Sequence, residues 1–269
     1  MKRSGIITLT TDFGLLDPYV AMMKGVILSI NDKARIVDVS HHIMAGSIIE
    51  AAGMIRETFP FFPEGTVHVV VVDPGVGSDR RLIALKAAGH IFIGPDNGIF
   101  WPIITEFKKT IIVHLTEKMY FSPHITPTFH GRDMFAPVAA HISLGIDPVK
   151  MGPVINDPVK LSSPRPHKIA NVLYGQVMRI DNFGNLITNI SNEDIRNFLK
   201  KSKPIIRIGN LELKKLDHIY SDVEKGEPLA LIDSSNFLEI AVNLGRAAEY
   251  VGINTGEIVG SAVKIGRYE

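Results

Sequence analysis

The stretch VVVVDPGVGSDRR, Val69 to Arg81, decides how the chain is read. Four successive β-branched valines fit a central strand covered on both faces, since no alternate position is left for a polar side chain. Pro74, Gly75 and Gly77 then stop the strand abruptly. Strands of this kind belong to open α/β sheets, which bind ligands at the carboxyl ends of their strands. Asp73 stands at such an end and is therefore a site candidate. An Asp that caps the turn through its own backbone accounts equally for its position.

Working outward, Gly5 to Thr11 reads as a first strand, turned by Asp12-Phe13-Gly14, and Pro18 to Ile30 carries apolar residues at helical spacing. Ala34 to Val39 is a second strand that ends in Ser40-His41-His42, and Ser47 to Thr58 a second helix. Leu82 to Ala87 and Ile91 to Gly94 read as a hairpin, Pro95-Asp96-Asn97-Gly98 as a turn, and Ile99 to Thr105 and Arg132 to Leu144 as helices. This alternation predicts a largely parallel sheet covered by helices, an α/β domain over residues 1–157. Residues 158–169 have the proline and polar content of a linker. From 170 to 269 the pattern changes to short strands at Gly175–Ile180, Leu186–Thr188, Ile205–Ile208, Leu229–Ile232, Leu238–Ala241 and Ala262–Ile265, with one helix at Asn192–Leu199. That predicts a smaller β-barrel domain.

Composition excludes several functions. With 29 basic against 28 acidic side chains the formal charge is +1, and no Lys/Arg stripe marks a nucleic-acid or anionic-membrane surface. Cysteine is absent, so disulfides, thiolate nucleophiles and sulfur metal sites are out. No segment approaches the roughly 20 apolar residues of a membrane span, and the start of the chain reads as a strand rather than a signal sequence. The expectation is a soluble, cytoplasmic protein.

Polar clusters fall at strand ends or turns: Thr10-Thr11-Asp12, Asp73 with Arg80, Asp96-Asn97, and His130-Gly131-Arg132-Asp133. Each has a structural account, such as a helix cap for Asp12 or a dipole pairing for Asp133. His41, His42, His130, Asp12 and Asp73 supply enough donors for a metal, but no HExxH, His-x-His or carboxylate cluster organises them, so no metal is expected. Neither GxGxxG nor GxxxxGK[ST] is present. In the second half, DNFGNLITNI places Asp181 and Asn185 around a Phe-Gly turn that Asx hydrogen bonds alone would explain.

TTDFG, VVDPGVG followed by Arg80, GPDNG, TFHGRD and DNFGN, in this order, resemble the S-adenosylmethionine hydrolase family, also called SAM hydroxide adenosyltransferases. The resemblance runs from about Thr8 to Asn243. It implies an α/β domain and a β-barrel domain, as in the fluorinating and chlorinating enzymes to which the family is similar in fold, and a homotrimer with sites between subunits. The implied activity is cleavage of S-adenosyl-L-methionine by water at the ribose 5′ carbon, giving adenosine and methionine without a cofactor. The family's Asp, Arg and His triad falls on Asp73, Arg80 and His130. Asp12 falls on the acid that grips the ribose hydroxyls, Asn97 on a substrate-binding position, and Asp181, Asn185 and Ser234 on positions around the methionine portion. The chain departs from the halogenating relatives at Ser235, where they carry an Arg, and at Gly46, where they place a Trp.

Overall fold

The computed structural model describes residues 3–254 and 257–268. The chain divides between Ser162 and Ser163 into two compact units.

The first unit is built on a seven-stranded sheet. Its strands are β1 (Ile6–Thr11), β2 (Arg35–Ser40), β3 (Val67–Val71), β4 (Leu82–Ala87), β5 (His90–Pro95), β6 (Ile111–His114) and β7 (Val154–Ile155), in the spatial order β2-β1-β3-β5-β4-β6-β7. The valine run behaves as its composition dictates. Val67, Val69 and Val71 point into one core with Ile7, Leu9 and Met23, whereas Val70 and Val72 point into another with Ala51, Ile55 and Phe92. Helices α1 (Tyr19–Ile30) and α4 (Ala136–Ser143) cover the first face, and α2 (Ile48–Thr58) and α3 (Trp101–Glu106) the second. Val20, Met23 and Ile27 form the buried stripe of α1, and small Ala136, Ala139 and Ala140 let α4 lie close to the sheet.

Only half of this sheet is parallel. The pairs β2–β1, β1–β3 and β3–β5 are parallel, and β5–β4, β4–β6 and β6–β7 antiparallel. The reversal is local: Ala88 and Gly89, both at positive φ (50° and 80°), join β4 to β5 in a two-residue loop that suits the twist of the hairpin.

The second unit contains β8 (His167–Ile169), β9 (Val172–Ile180), β10 (Leu186–Ser191), α5 (Asn192–Leu199), β11 (Lys203–Ile208), β12 (Leu211–Leu213), β13 (Pro228–Ile232), β14 (Phe237–Val242), α6 (Ala247–Tyr250) and β15 (Ala262–Tyr268). Its antiparallel strands run β12-β11-β15-β9-β10-β14-β13, with β8 also on β9, and curl into a nearly closed barrel around Val177, Leu186, Ile206, Leu238, Ile240 and Val263. Helix α5, begun by a Ser191–Asp194 capping box, adds Ile195, Phe198 and Leu199 to that core. Residues His167–Ile169, in the segment that reads as a linker, are a strand because their backbone pairs with Val172–Tyr174. Among the described residues no helix is long and apolar enough to cross a membrane.

Candidate active site

The parallel half of the sheet contains a switch in strand order. From β1 the chain passes to β2 on one side, then returns to β3 on the other, so the loops leaving β1 and β3 diverge and open a crevice between them. Thr11 pairs with Val71 at this end, which sets Asp12 and Asp73 at the mouths of adjacent strands. The β3 exit is a tight turn, with Val76 N–H donating to Asp73 O at 3.2 Å and Ser78 N–H to Gly75 O at 3.1 Å. Gly77 adopts φ +81°, and a Cβ there would lie 2.6 Å from the carbonyl oxygen of Pro127. Only glycine lets this turn lie against the segment that leads to His130.

Three expected residues meet there. Arg80 Nε donates to Asp73 Oδ1 at 2.8 Å, Arg80 Nη2 closes on Asp73 Oδ2, and the same Nη2 lies 2.8 Å from His130 Nδ1. The Arg80 and Asp73 side chains are 9% and 5% exposed. Asp73 Oδ2, though against Arg80, is not aligned for a hydrogen bond, and Arg80 Nη1 has no hydrogen-bond partner either. Because a guanidinium can only donate, His130 Nδ1 must accept, and the ring hydrogen of the neutral imidazole is on Nε2. Burial holds the His130 pKa below its ordinary value, Arg80's charge adding to it and Asp73 and Asp133 opposing.

His130 starts a helix whose first turn, Gly131–Phe135, is a π-turn that runs into α4. Such single turns inside helices are rare and recur at functional sites. Asp133 fixes the preceding loop: its Oδ2 accepts from Thr126 N–H at 2.8 Å and Thr126 Oγ1 at 2.6 Å, and its Oδ1 from Arg132 Nε at 2.6 Å.

A cavity of about 430 Å³ opens onto these groups, lined among others by Asp12, Phe13, Tyr19, Asp73, Phe129 and His130. Phe13, Tyr19 and Phe129 make an edge-to-face trio with centroids 5.3 to 5.9 Å apart. Asp12 Oδ2 accepts from Gly46 N–H at 2.8 Å. Asn97 sits behind the pocket: its Nδ2 donates to Val72 O at 3.0 Å and its Oδ1 accepts from Ile99 N–H at 3.2 Å, tying the end of β5 to the residue before Asp73. One N–H and one lone pair of that amide remain for other contacts.

In the second unit, Asp181 Oδ1 accepts from Asn185 N–H at 2.8 Å and Oδ2 from Asn185 Nδ2 at 3.0 Å, so the two expected residues hold one turn. Ser234 is exposed on the turn from β13 to β14, beside Asp233, whose Oδ1 accepts from Ser235 and Phe237 N–H. Tyr220 O–H donates to Glu239 at 2.8 Å. Burial raises the pKa of both, and the charges of Asp181 and Asp233 raise them further.

The structure therefore brings Asp73, His130 and Asp12 to the wall of one cavity, joins the first two through Arg80, and places Asn97 behind it. Reading the sequence missed the aromatic trio, although Phe13 and Phe129 lie inside the quoted TTDFG and TFHGRD motifs. It also missed Tyr220 and Glu239, which have no motif. Among the described residues no three His, Asp or Glu side chains converge as a metal site.

Two family models match the chain: SAM hydroxide adenosyltransferase N-terminal domain over residues 7–152 and its C-terminal domain over 175–260. A protein of Salinispora tropica named (R)-S-adenosyl-L-methionine hydrolase is 34% identical over 93% of this chain and 95% of its own length. One of the same name from Thermus thermophilus is 35% identical over 91% and 95%. A fluorinase of Actinoplanes is 28% identical over 93% and 95%. The crystal structure of an uncharacterized conserved protein from Thermotoga maritima superposes with a TM-score of 0.88 at 34% identity, over 97% of this chain and all of the other.

Proposed function

The chain belongs to the SAM hydroxide adenosyltransferase family, and from that membership and the pocket geometry we propose that it hydrolyses S-adenosyl-L-methionine to adenosine and L-methionine. The observation that carries this reading is a carboxylate in the cavity wall, Asp73, gripped by an arginine that also donates to His130. Water supplies the nucleophile. Its oxygen forms a bond to the ribose 5′ carbon while the electrons of the carbon–sulfur bond pass to sulfur, and the sulfonium leaves as the neutral thioether of methionine. No acid is needed for that leaving group, so the catalytic task is to hold and orient water. Asp73 accepts a hydrogen bond from the water and then its proton, which passes on to solvent. His130, with its hydrogen on Nε2, donates to the water oxygen rather than acting as its base. Arg80 fixes both partners.

In this reading Asp12 grips the ribose hydroxyls. One of its oxygens also holds Gly46 N–H, but a carboxylate has roughly four acceptor positions and still reaches two hydroxyls. Asn97 serves substrate binding indirectly, by supporting the Asp73 turn through its bond to Val72 O. Asp181, Asn185 and Ser234 serve the methionine end, where the Asp181 carboxylate suits an ammonium group. The enzyme is cytoplasmic, needs no cofactor and works as a homotrimer; light scattering should give about three times the 29.6 kDa chain mass.

The test is direct. Chelator-treated protein incubated with S-adenosyl-L-methionine in water enriched in heavy oxygen should release adenosine and methionine in equal amounts, with the label on the adenosine 5′ hydroxyl. A 5′-chlorinated nucleoside when chloride is added, or unlabelled adenosine, would overturn the reading.

A further inference from the structure

Behind the Asp12 loop lies a second chain of polar groups that the proposed reaction does not use. Thr11, the last residue of β1, is fully buried, and its hydroxyl is 2.9 Å from His41 Nδ1. His41, 3% exposed, directly follows β2; its Nε2 lies 3.0 Å from Asp38 Oδ1, off the line of an ideal hydrogen bond. Asp38 Oδ2 accepts from Lys24 Nζ of α1 at 2.6 Å.

The order hydroxyl, imidazole, carboxylate is that of a nucleophilic triad, but Thr11 is sealed from solvent and does not line the cavity. Its hydroxyl faces the loop instead. Phe13 N–H points at Thr11 Oγ1 at 3.3 Å, and Gly14 N–H donates to the His41 carbonyl at 2.7 Å. Both residues that follow Asp12 are therefore fastened to Thr11 and His41. Because the Asp38 carboxylate can only accept, the ring's hydrogen faces it from Nε2, which leaves Nδ1 to accept from the Thr11 hydroxyl while that oxygen takes Phe13 N–H. That fixes the ring about its own axis and, through the carbonyl, the backbone next to it.

We propose that His41 is a positioning residue for substrate binding: with Thr11 and Asp38 it holds the Asp12-Phe13-Gly14 loop in the conformation that presents the Asp12 carboxylate and the Phe13 ring to the cavity. This rests on the reading of Asp12 as the ribose clamp. His41 is too far back in the chain of contacts to touch the reacting atoms, so its loss weakens affinity and spares the step at the 5′ carbon.

The experiment measures adenosine affinity by calorimetry, and KM and kcat with S-adenosyl-L-methionine, for Asp12→Ala, Thr11→Val, His41→Leu and His41→Asn. Asn keeps an acceptor near the position of Nδ1 and leaves the backbone carbonyl in place. For His41→Leu the expected result is an adenosine affinity and a KM worsened about tenfold, which corresponds to about 1.4 kcal/mol, with kcat changed less than threefold. Thr11→Val, close in shape to the parent and so the safer variant to fold, should show the same defect. His41→Asn should recover most of it. The double variant Thr11→Val/His41→Leu should be no worse than His41→Leu, because both changes break one linkage. Normal affinity in a folded Thr11→Val protein, a defect confined to kcat, or additive losses in the double variant would overturn the proposal. If Asp12→Ala itself binds adenosine normally, the ribose-clamp reading fails, and the two failures are told apart.

Discussion

Two histidines of the first unit, His130 and His68, have opposite fates. At the carboxyl rim, His130 meets Arg80 and Asp73 on the wall of a cavity. Toward the amino ends of β1, β3 and β5, His68 is sealed: its Nδ1 lies 2.8 Å from Thr8 Oγ1, its Nε2 3.2 Å from His90 Nδ1, and its ring stacks on Phe92 at 5.1 Å. Both imidazoles have their pKa lowered by burial, but at the rim Arg80, Asp73 and Asp133 act alongside it, and in the interior a second histidine, His90, does. Burial brings His68 down to about 3. A buried polar group is thus chemical equipment where charged partners and a cavity meet it, and a neutral packing element where apolar rings enclose it.

The comparison breaks most easily at Asp73. Asp73→Asn keeps the shape of the rim but removes the acceptor for a water proton, so turnover should fall by about 10³ or more while adenosine still binds. If the variant lost adenosine affinity and kept its single-turnover rate, Asp73 would belong to the nucleoside pocket.

The interior cluster should be silent in catalysis and audible in stability. The folded-state pKa of His68 is below the unfolded value, so under acid conditions the unfolded chain takes up a proton that the folded chain refuses. The stability supplied by neutral His68 is complete above pH 6.5 and falls as pH drops toward about 3, by up to about 1.4 kcal/mol per unit. Urea unfolding of wild type and His68→Leu between pH 7.5 and 4.5 isolates this contribution as a difference. The variant should be less stable at pH 7, because Thr8 and His90 lose a partner, but the gap should close as pH falls. Parallel curves would mean that His68 is not neutral in the fold.

How much of this could be read from the sequence depends on whether a residue's partner is near in the chain. The valine strand, its abrupt end and the candidacy of Asp73 were legible because they are local. Arg80 came within reach because it is seven residues from Asp73. Its neighbour Arg81 was not interpretable: it grips Asp96 at 2.8 Å and Asp157 at 2.8 Å, a tie across 76 positions that no spacing rule reports. Asp96 in GPDNG therefore stood as a polar cluster, whereas its carboxylate is spent on Arg81 and on Val159 N–H. In the sequence His41 reads only as a possible metal donor, because its bond to Thr11 depends on the parallel pairing of β1 with β2. The strands β6, β7 and β12 carried too few residues for periodicity to register.

The smallest effect concerns how the rim is assembled, and it separates two glycines of one turn. Gly77 has φ +81° and would drive a Cβ to 2.6 Å from a carbonyl oxygen, which as backbone cannot swing aside. Gly77→Ala should therefore cost roughly 1 to 3 kcal/mol of stability and push the Asp73 turn away from the segment before His130. Since Arg80 spans the two, the separation should lower kcat by about tenfold and leave adenosine affinity nearly unchanged, because Asp12 is on another loop. Gly75 differs: a Cβ there meets Ser78 Oγ at 3.5 Å and Arg80 Cγ at 3.7 Å, ordinary contact distances. Gly75→Ala should stay within about 0.5 kcal/mol of wild type and keep its turnover. Thermal unfolding and kcat measured side by side decide the matter; equal behaviour of the two variants would mean that the rim does not depend on the close approach at Gly77, and that Asp73 and His130 are held together by Arg80 alone.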